Sequence, residues 1–86
     1  MAIVTLRYWA AAKEAAGVSE ETLAADTLAT ALSSALARDG RDRRLGPVLA
    51  RSSFLIDGNP VGARRPEHVI LPDAAVIEVL PPFAGG

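Results

Sequence analysis

Cysteine is missing from the sequence, and histidine occurs once, as His68. The first absence excludes disulfides, thiol nucleophiles and thiolate metal sites together. A single histidine leaves no cluster to hold a metal and no second member for a nucleophile–base pair. In the polar stretch Arg64-Arg65-Pro66-Glu67-His68 it reads as a solvated loop side chain. No apolar run approaches the ~20 residues that span a bilayer, and the first residues lack the basic-then-apolar layout of a signal peptide. An excess of one charge is lacking too. Nine basic against ten acidic side chains leave a formal net charge of -1, which gives no footprint for nucleic acid or a membrane surface. These absences predict a cytoplasmic protein with no metal, no permanently bound cofactor and no self-contained catalytic apparatus.

What is present suits one small folded domain. At 86 residues, 50% hydrophobic and 22% charged, the chain has enough apolar surface for a single core and too little length for two. From Ile3 to Trp9 the pattern alternates, with Val4, Leu6 and Tyr8 on one face and Thr5 and Arg7 on the other, the period of a half-buried strand. Ala10 to Ala16 is a short alanine-rich helical stretch ended by Gly17, and Ser19 to Ala24 is a short polar second strand. The principal helix starts at Asp26 or Thr27 as cap and ends at Gly40. Leu28, Leu32 and Leu36, with Ala31 and Ala35, form its core stripe, and Thr30, Ser33, Ser34 and Arg38 face water.

Arg41 to Arg44, offset by Asp42, reads as a solvated surface turn. Beyond Gly46-Pro47, a third strand Ser53-Phe54-Leu55-Ile56 leads into the turn Asp57-Gly58-Asn59-Pro60. The final strand is Val76 to Leu80. The predicted order is β-β-α-β-(short β)-β: an α+β fold with a mixed sheet of four to five strands on one principal helix. A strand at each end of the chain with a crossover helix between them places the terminal strands side by side and parallel.

The ending carries the functional signal. Gly85 and Gly86 have no Cβ, so this stretch can thread a slot too narrow for other residues and adopt the φ and ψ the slot demands. Pro81 and Pro82 fix φ and favour an extended exit from the last strand. Residues 1–80 are thus expected to form the domain, and 81–86, with Phe83 and Ala84 before the glycines, an extended tail that presents its carboxylate to another protein's active site. The plain alternative is an ordinary frayed end. A stiff hinge directly after a β-branched strand argues against it.

Leu6-Arg7-Tyr8-Trp9-Ala10-Ala11-Ala12-Lys13-Glu14-Ala15-Ala16-Gly17 at the start, combined with Val79-Leu80-Pro81-Pro82-Phe83-Ala84-Gly85-Gly86 at the end, resembles the MoaD family, the small sulfur-carrier subunit of molybdopterin synthase. The likeness covers essentially the whole chain, and the two ends are its specific parts. It implies the ubiquitin-like β-grasp fold. It further implies that an ATP-dependent, ubiquitin-activating-like adenylyltransferase adenylates Gly86, that a sulfur donor protein replaces AMP with sulfur, and that the thiocarboxylate donates sulfur to cyclic pyranopterin monophosphate. That last step belongs to the large synthase subunit, in a 2:2 heterotetramer, so the chain resembles a cosubstrate more than an enzyme. Trp9, Pro60 and Leu80 match the family's apolar partner-facing patch, with burial of Trp9 in the core as the alternative; Arg7 and Lys13 read first as solvated side chains and second as lining the same surface. The chain departs from the family in having Asp73-Ala74-Ala75 where Asp-Gly-Asp is common, and Phe83 where valine is common.

Two other readings share the Gly-Gly ending. One is a sulfur carrier for thiazole synthesis or tRNA thiolation, in which Pro-Pro-x-Ala usually does not precede the glycines. The other is a ubiquitin-like modifier whose carboxylate forms an isopeptide.

Overall fold

Val4, Leu6 and Tyr8 are buried in β1 (Ile3–Tyr8), while Thr5 and Arg7 point the opposite way and stay partly accessible, as the alternation predicts. The computed structural model describes residues 1–82. After β1 come α1 (Ala10–Ala16), β2 (Glu20–Ala24), α2 (Leu28–Leu36), α3 (Leu45–Arg51), β3 (Ser53–Ile56), β4 (Asn59–Pro60) and β5 (Val76–Leu80), with a 3₁₀ turn at Pro66–His68. The sheet has five strands in the order β2-β1-β5-β3-β4. β1 and β5, the first and last strands, pair in parallel with Tyr8 opposite Val79, and the remaining pairs are antiparallel.

Local chemistry explains the element ends. The Thr27 hydroxyl accepts the Thr30 amide at 3.2 Å and caps α2. Gly17 ends α1 in the left-handed conformation, φ 80°, and its amide reaches the Lys13 carbonyl at 3.0 Å. Asp57 and Gly58 both take positive φ, 50° and 83°, which is the two-residue hairpin turn that matches strand twist and joins β3 to β4.

The helices cover one face of the sheet. Leu28, Ala31 and Ala35 of α2, Ala12 and Ala15 of α1, and Leu45, Val48 and Leu49 of α3 pack into a core with Val4, Leu6, Tyr8, Ile56, Ile77 and Val79. On the other face no residue of the five strands is buried.

Five features differ from the sequence-based expectation. Helix α2 stops at Leu36, capped by Ala37, and not at Gly40, because the Arg41 side chain takes the Ala35 carbonyl that a longer helix would use. Leu36 is 43% exposed and Leu32 only partly buried, because steps of i+4 at about 100° per residue carry the stripe some 40° further round with each repeat, whereas Leu28, Ala31 and Ala35 stay centred on the core. Helix α3, after Arg44, has no counterpart in the expected order. Pro47 is its third residue, within the first turn, where the proline's missing N–H would have had no partner. The turn at Arg41 is not simply solvated, since the Arg41 side chain is 8% exposed and held by a carboxylate. Ala74 adopts φ 67°, the left-handed conformation normally left to glycine.

Candidate functional site: an open sheet face at the tail exit

Residues opposite one another in a ladder share a face, so the strand registers define the surface left open by the helices. Glu20 pairs with Arg7, Arg7 with Glu78, Glu78 with Leu55, and Leu55 with Pro60, giving one row across all five strands. One level toward the C-terminal end of β5 lie Trp9, Leu80 and Ser53. Trp9 continues β1 in extended conformation, φ -121° and ψ 151°, and its amide donates to the Val79 carbonyl at 3.3 Å. Its side chain therefore falls on the face opposite the buried Tyr8, beside Leu80, and is 47% exposed. Leu80 is half-buried and faces Ser53 of β3 on its other side. One level the other way are Thr22, Thr5 and the half-buried Val76.

The surface thus holds an apolar pair at the tail exit and a charged row beneath it. Within the row, Arg7 Nε lies 3.7 Å from Glu20 Oε1. Glu78, half-buried at the centre of the sheet, has no ion-pair partner among the described residues.

Of the residues expected to form the partner patch, Trp9 and Leu80 come together. Pro60 is exposed on the same face but sits on β4, two strands from Leu80, roughly 10 Å away across the ladder. It also borders a groove of about 360 Å³ with Phe54, Val61 and Arg64. The Arg64 guanidinium bonds the Val61 and Pro60 carbonyls there, at 3.0 and 3.3 Å. Arg7 lies on the open face, and Lys13 is exposed on α1. Sequence reasoning missed Glu78, Leu55 and Val76, although their alternation with Ile77 and Val79, or Phe54 and Ile56, places them opposite the core.

Pro81 is half-buried and Pro82 exposed where the chain leaves the sheet between β1 and β3; Phe83, Ala84, Gly85 and Gly86 lie outside the described residues. A polar clip lies inside the fold on the β2 side of β1. Tyr8 donates its hydroxyl hydrogen to Glu21 Oε2 at 2.5 Å, and Arg41 bonds Glu21 at 2.6 and 2.7 Å, the Ala16 carbonyl at 2.6 Å and the Ala35 carbonyl at 3.0 Å. Burial, and then the bond to the Glu21 carboxylate, push the Tyr8 phenol well above its usual range. No group of acidic or histidine side chains among the described residues could hold a metal ion. Nor is any described helix long and apolar enough to cross a membrane.

No protein-family model and no curated protein matches the sequence. Solved structures do match the fold. Small archaeal modifier protein 1 from Methanosarcina acetivorans superposes with a TM-score of 0.81 at 27% identity, covering 100% of this chain and 98% of its own. The putative molybdopterin converting factor subunit 1 from Pyrococcus furiosus gives 0.75 at 19% identity, covering 96% and 100%. A chain from the complex of subunits 1 and 2 of molybdopterin-converting factor from Helicobacter pylori gives 0.69 at 21%, covering 98% and 99%. The mixed sheet with parallel terminal strands, and the likeness to these proteins over nearly the whole length, place the chain among the ubiquitin-like β-grasp proteins, with MoaD-type and small archaeal modifier proteins as its structural neighbours.

Proposed function

We propose that the protein is the cytoplasmic sulfur carrier of a molybdopterin synthase. The observation that carries this reading is the meeting of three features at one point: the central strand β5 ends, the chain leaves through Pro81-Pro82, and an apolar pair, the exposed Trp9 and the half-buried Leu80, sits beside the exit. A partner that docks on the apolar pair receives whatever follows Pro82 in its own active site. The sequence places Gly85-Gly86 there.

A free carboxylate, with a pKa of about 3.5, is ionised at neutral pH and is a poor electrophile. Adenylation with ATP converts Gly86 to an acyl adenylate with release of pyrophosphate. A sulfur donor then displaces AMP, and the Gly86 thiocarboxylate bonds through its sulfur to cyclic pyranopterin monophosphate in the large subunit; water then cleaves the acyl–sulfur bond, leaving the sulfur on the pterin and the carboxylate free for another cycle. Two such transfers supply the two dithiolene sulfurs, and the assembly is a 2:2 heterotetramer. The Helicobacter pylori neighbour, seen in complex with a second subunit, supports a large-subunit partner.

A second reading is favoured by the Methanosarcina neighbour, a modifier protein. In it the same adenylate is attacked by a lysine amine to form an isopeptide. Intact-mass spectrometry of protein recovered from its native host separates the two. Exchange of one oxygen for sulfur at the C-terminus supports the carrier, whereas a ladder of conjugates supports the modifier. A chain carrying neither, recovered from cells making molybdenum cofactor, overturns the carrier reading.

A further inference from the structure

The charge arrangement on the open face is self-complementary. Arg7 on β1 lies directly opposite Glu78 on β5, in adjacent parallel strands, and Trp9 and Leu80 occupy the next level up. A two-fold axis running along the β1–β5 seam, in front of the sheet, would superimpose each strand on the other's position in a second molecule. Both strands run the same way, so residues at one height then meet: Arg7 meets Glu78, Glu78 meets Arg7, and Trp9 and Leu80 meet each other twice. This is the condition for an isologous interface, in which residue i touches j and j touches i. The crossing angle of roughly 30° between stacked sheets leaves contacts near the axis in register.

Within the chain the charges are not satisfied by this pairing. Arg7 turns to the exposed Glu20 at 3.7 Å, and the half-buried Glu78 has no cation within ion-pair distance among the described residues. Glu78 lies between Leu55 on β3 and Arg7 on β1, and with that guanidinium turned to Glu20 the carboxylate is left open to a second molecule's Arg7.

We propose that the open sheet face closes on a second copy of this chain, Arg7 of one protomer against Glu78 of its partner and Trp9 against Leu80, so that the free protein holds its docking face shut. Five strands about 4.8 Å apart, the longer ones about 17 Å in length, give a face of at most about 400 Å². That is half of the roughly 800 Å² per partner in a standard stable interface. The dimer is accordingly weak and concentration-dependent, and a partner with a larger interface displaces it. The face is the one that the proposed function assigns to docking, but the test requires no other protein and no sulfur chemistry, so either can fail alone.

Sedimentation equilibrium of the full chain is expected to show the weight-average mass rising from one protomer toward two with concentration. Arg7→Glu puts two acids opposite each other, and Glu78→Arg two bases, so each variant is expected to stay monomeric with unchanged circular dichroism. An equimolar mixture of the two variants is expected to dimerise. Across the axis, the acid introduced in the first variant then faces the base introduced in the second, and the first variant's unaltered Glu78 faces the second's unaltered Arg7. Should either variant fold poorly, concentration-dependent amide shifts of the unmodified protein are expected on β1 and β5 around Arg7, Trp9, Glu78 and Leu80. A wild-type chain that stays monomeric at millimolar concentration overturns the proposal. So does a mixture that stays monomeric while wild type dimerises, or amide shifts confined to the helical face.

Discussion

Arg41 and Glu21 meet at 2.6 Å with side chains only 8% and 9% exposed, and this pair ties the loop after α2 to the edge strand β2. The same guanidinium bonds the Ala16 and Ala35 carbonyls, which belong to the last turns of α1 and α2 and have no partner further along their helices. One side chain thus satisfies a carboxylate and two helix ends.

Removing one partner of such a pair leaves a buried charge uncompensated, which costs about 3–5 kcal/mol. Arg38 Nε, 3.4 Å from Glu21 but on a side chain 44% exposed, offers partial compensation. Arg41→Ala is therefore expected to cost about 3 kcal/mol, at the low end of that range, out of a total of about 5–15 kcal/mol. Urea denaturation measures it. A loss below about 1 kcal/mol, the range of exposed ion pairs, would return Arg41 to the solvated turn that the sequence suggested.

Tyr8 shares the Glu21 carboxylate, and it is the chain's only tyrosine. Burial and the bond to Glu21 raise its pKa in the folded state above the ordinary value of 10.0. The folded protein therefore keeps the phenolic proton where the unfolded chain loses it. Stability from this group is fully present below pH ~10 and falls as pH rises above that value toward the folded-state pKa. Alkaline titration followed at the phenolate absorbance is expected to coincide with loss of circular dichroism, and Tyr8→Phe to remove that pH dependence. Phenolate appearing near pH ~10 in a chain that is still folded counts against the buried bond.

The first and last strands were the most legible part of the sequence, and the reason is physical. Strand alternation in β1 and β5 and the helix end at Gly17 are set by near neighbours, which a local pattern records. Glu21 and Arg41 are twenty positions apart, and nothing in Arg41-Asp42-Arg43-Arg44 marks one arginine as buried. Helix α3 did leave a trace, since Leu45, Val48 and Leu49 have the i, i+3, i+4 spacing of a buried face, but Gly46-Pro47 reads as a break unless the proline is placed in a first turn. The resemblance grouped Trp9, Pro60 and Leu80 as a patch, and the register brings together only Trp9 and Leu80. Only the register shows that Glu78 and Leu55 separate Pro60 from the Trp9–Leu80 pair in the surface.

Ala74 holds φ 67° while its amide bonds the Ile3 carbonyl at 2.8 Å, so the turn into β5 keeps a glycine's geometry without the glycine. An L-residue there carries about 1–2 kcal/mol of steric strain, which glycine would relieve, less the cost of the greater freedom of its unfolded chain. Ala74→Gly is expected to stabilise the domain by about 0.5–1 kcal/mol, or roughly 3–6 °C in Tm for a domain of this size. Gly58→Ala should do the opposite: a Cβ there meets no atom within 4 Å, but φ is 83°. Calorimetry that finds Ala74→Gly neutral or destabilising removes strain as a property of this turn.

Trp9 is 47% exposed, so Trp9→Glu is expected to leave the circular dichroism unchanged. On the docking reading it places a charge where the large subunit buries apolar surface, and costs on the order of 2 kcal/mol or more of binding, as for other interface anchors. Pull-down against the large subunit reads the loss. A folded variant that binds with undiminished affinity excludes Trp9 from the interface; Pro60→Glu, at the far edge of the face, is expected to have the smaller effect.

The tail admits the sharpest test. Gly86 has no side chain to bury, so its deletion is expected to leave thermal stability within error. The carboxylate, however, moves back by roughly 3.5 Å along an extended chain. Reacting groups must come within about 3–3.5 Å for transfer, so adenylation and sulfur loading are expected to vanish. Gly85→Val keeps the length and is expected to fail for a different reason, since a β-branched side chain fills a slot shaped for bare backbone. Pyrophosphate release with the activating enzyme reads the first step, and C-terminal mass the second. If the shortened chain is adenylated at the wild-type rate, Gly86 is not the activated residue; if only Gly85→Val is active, the terminus reacts but no narrow channel receives it.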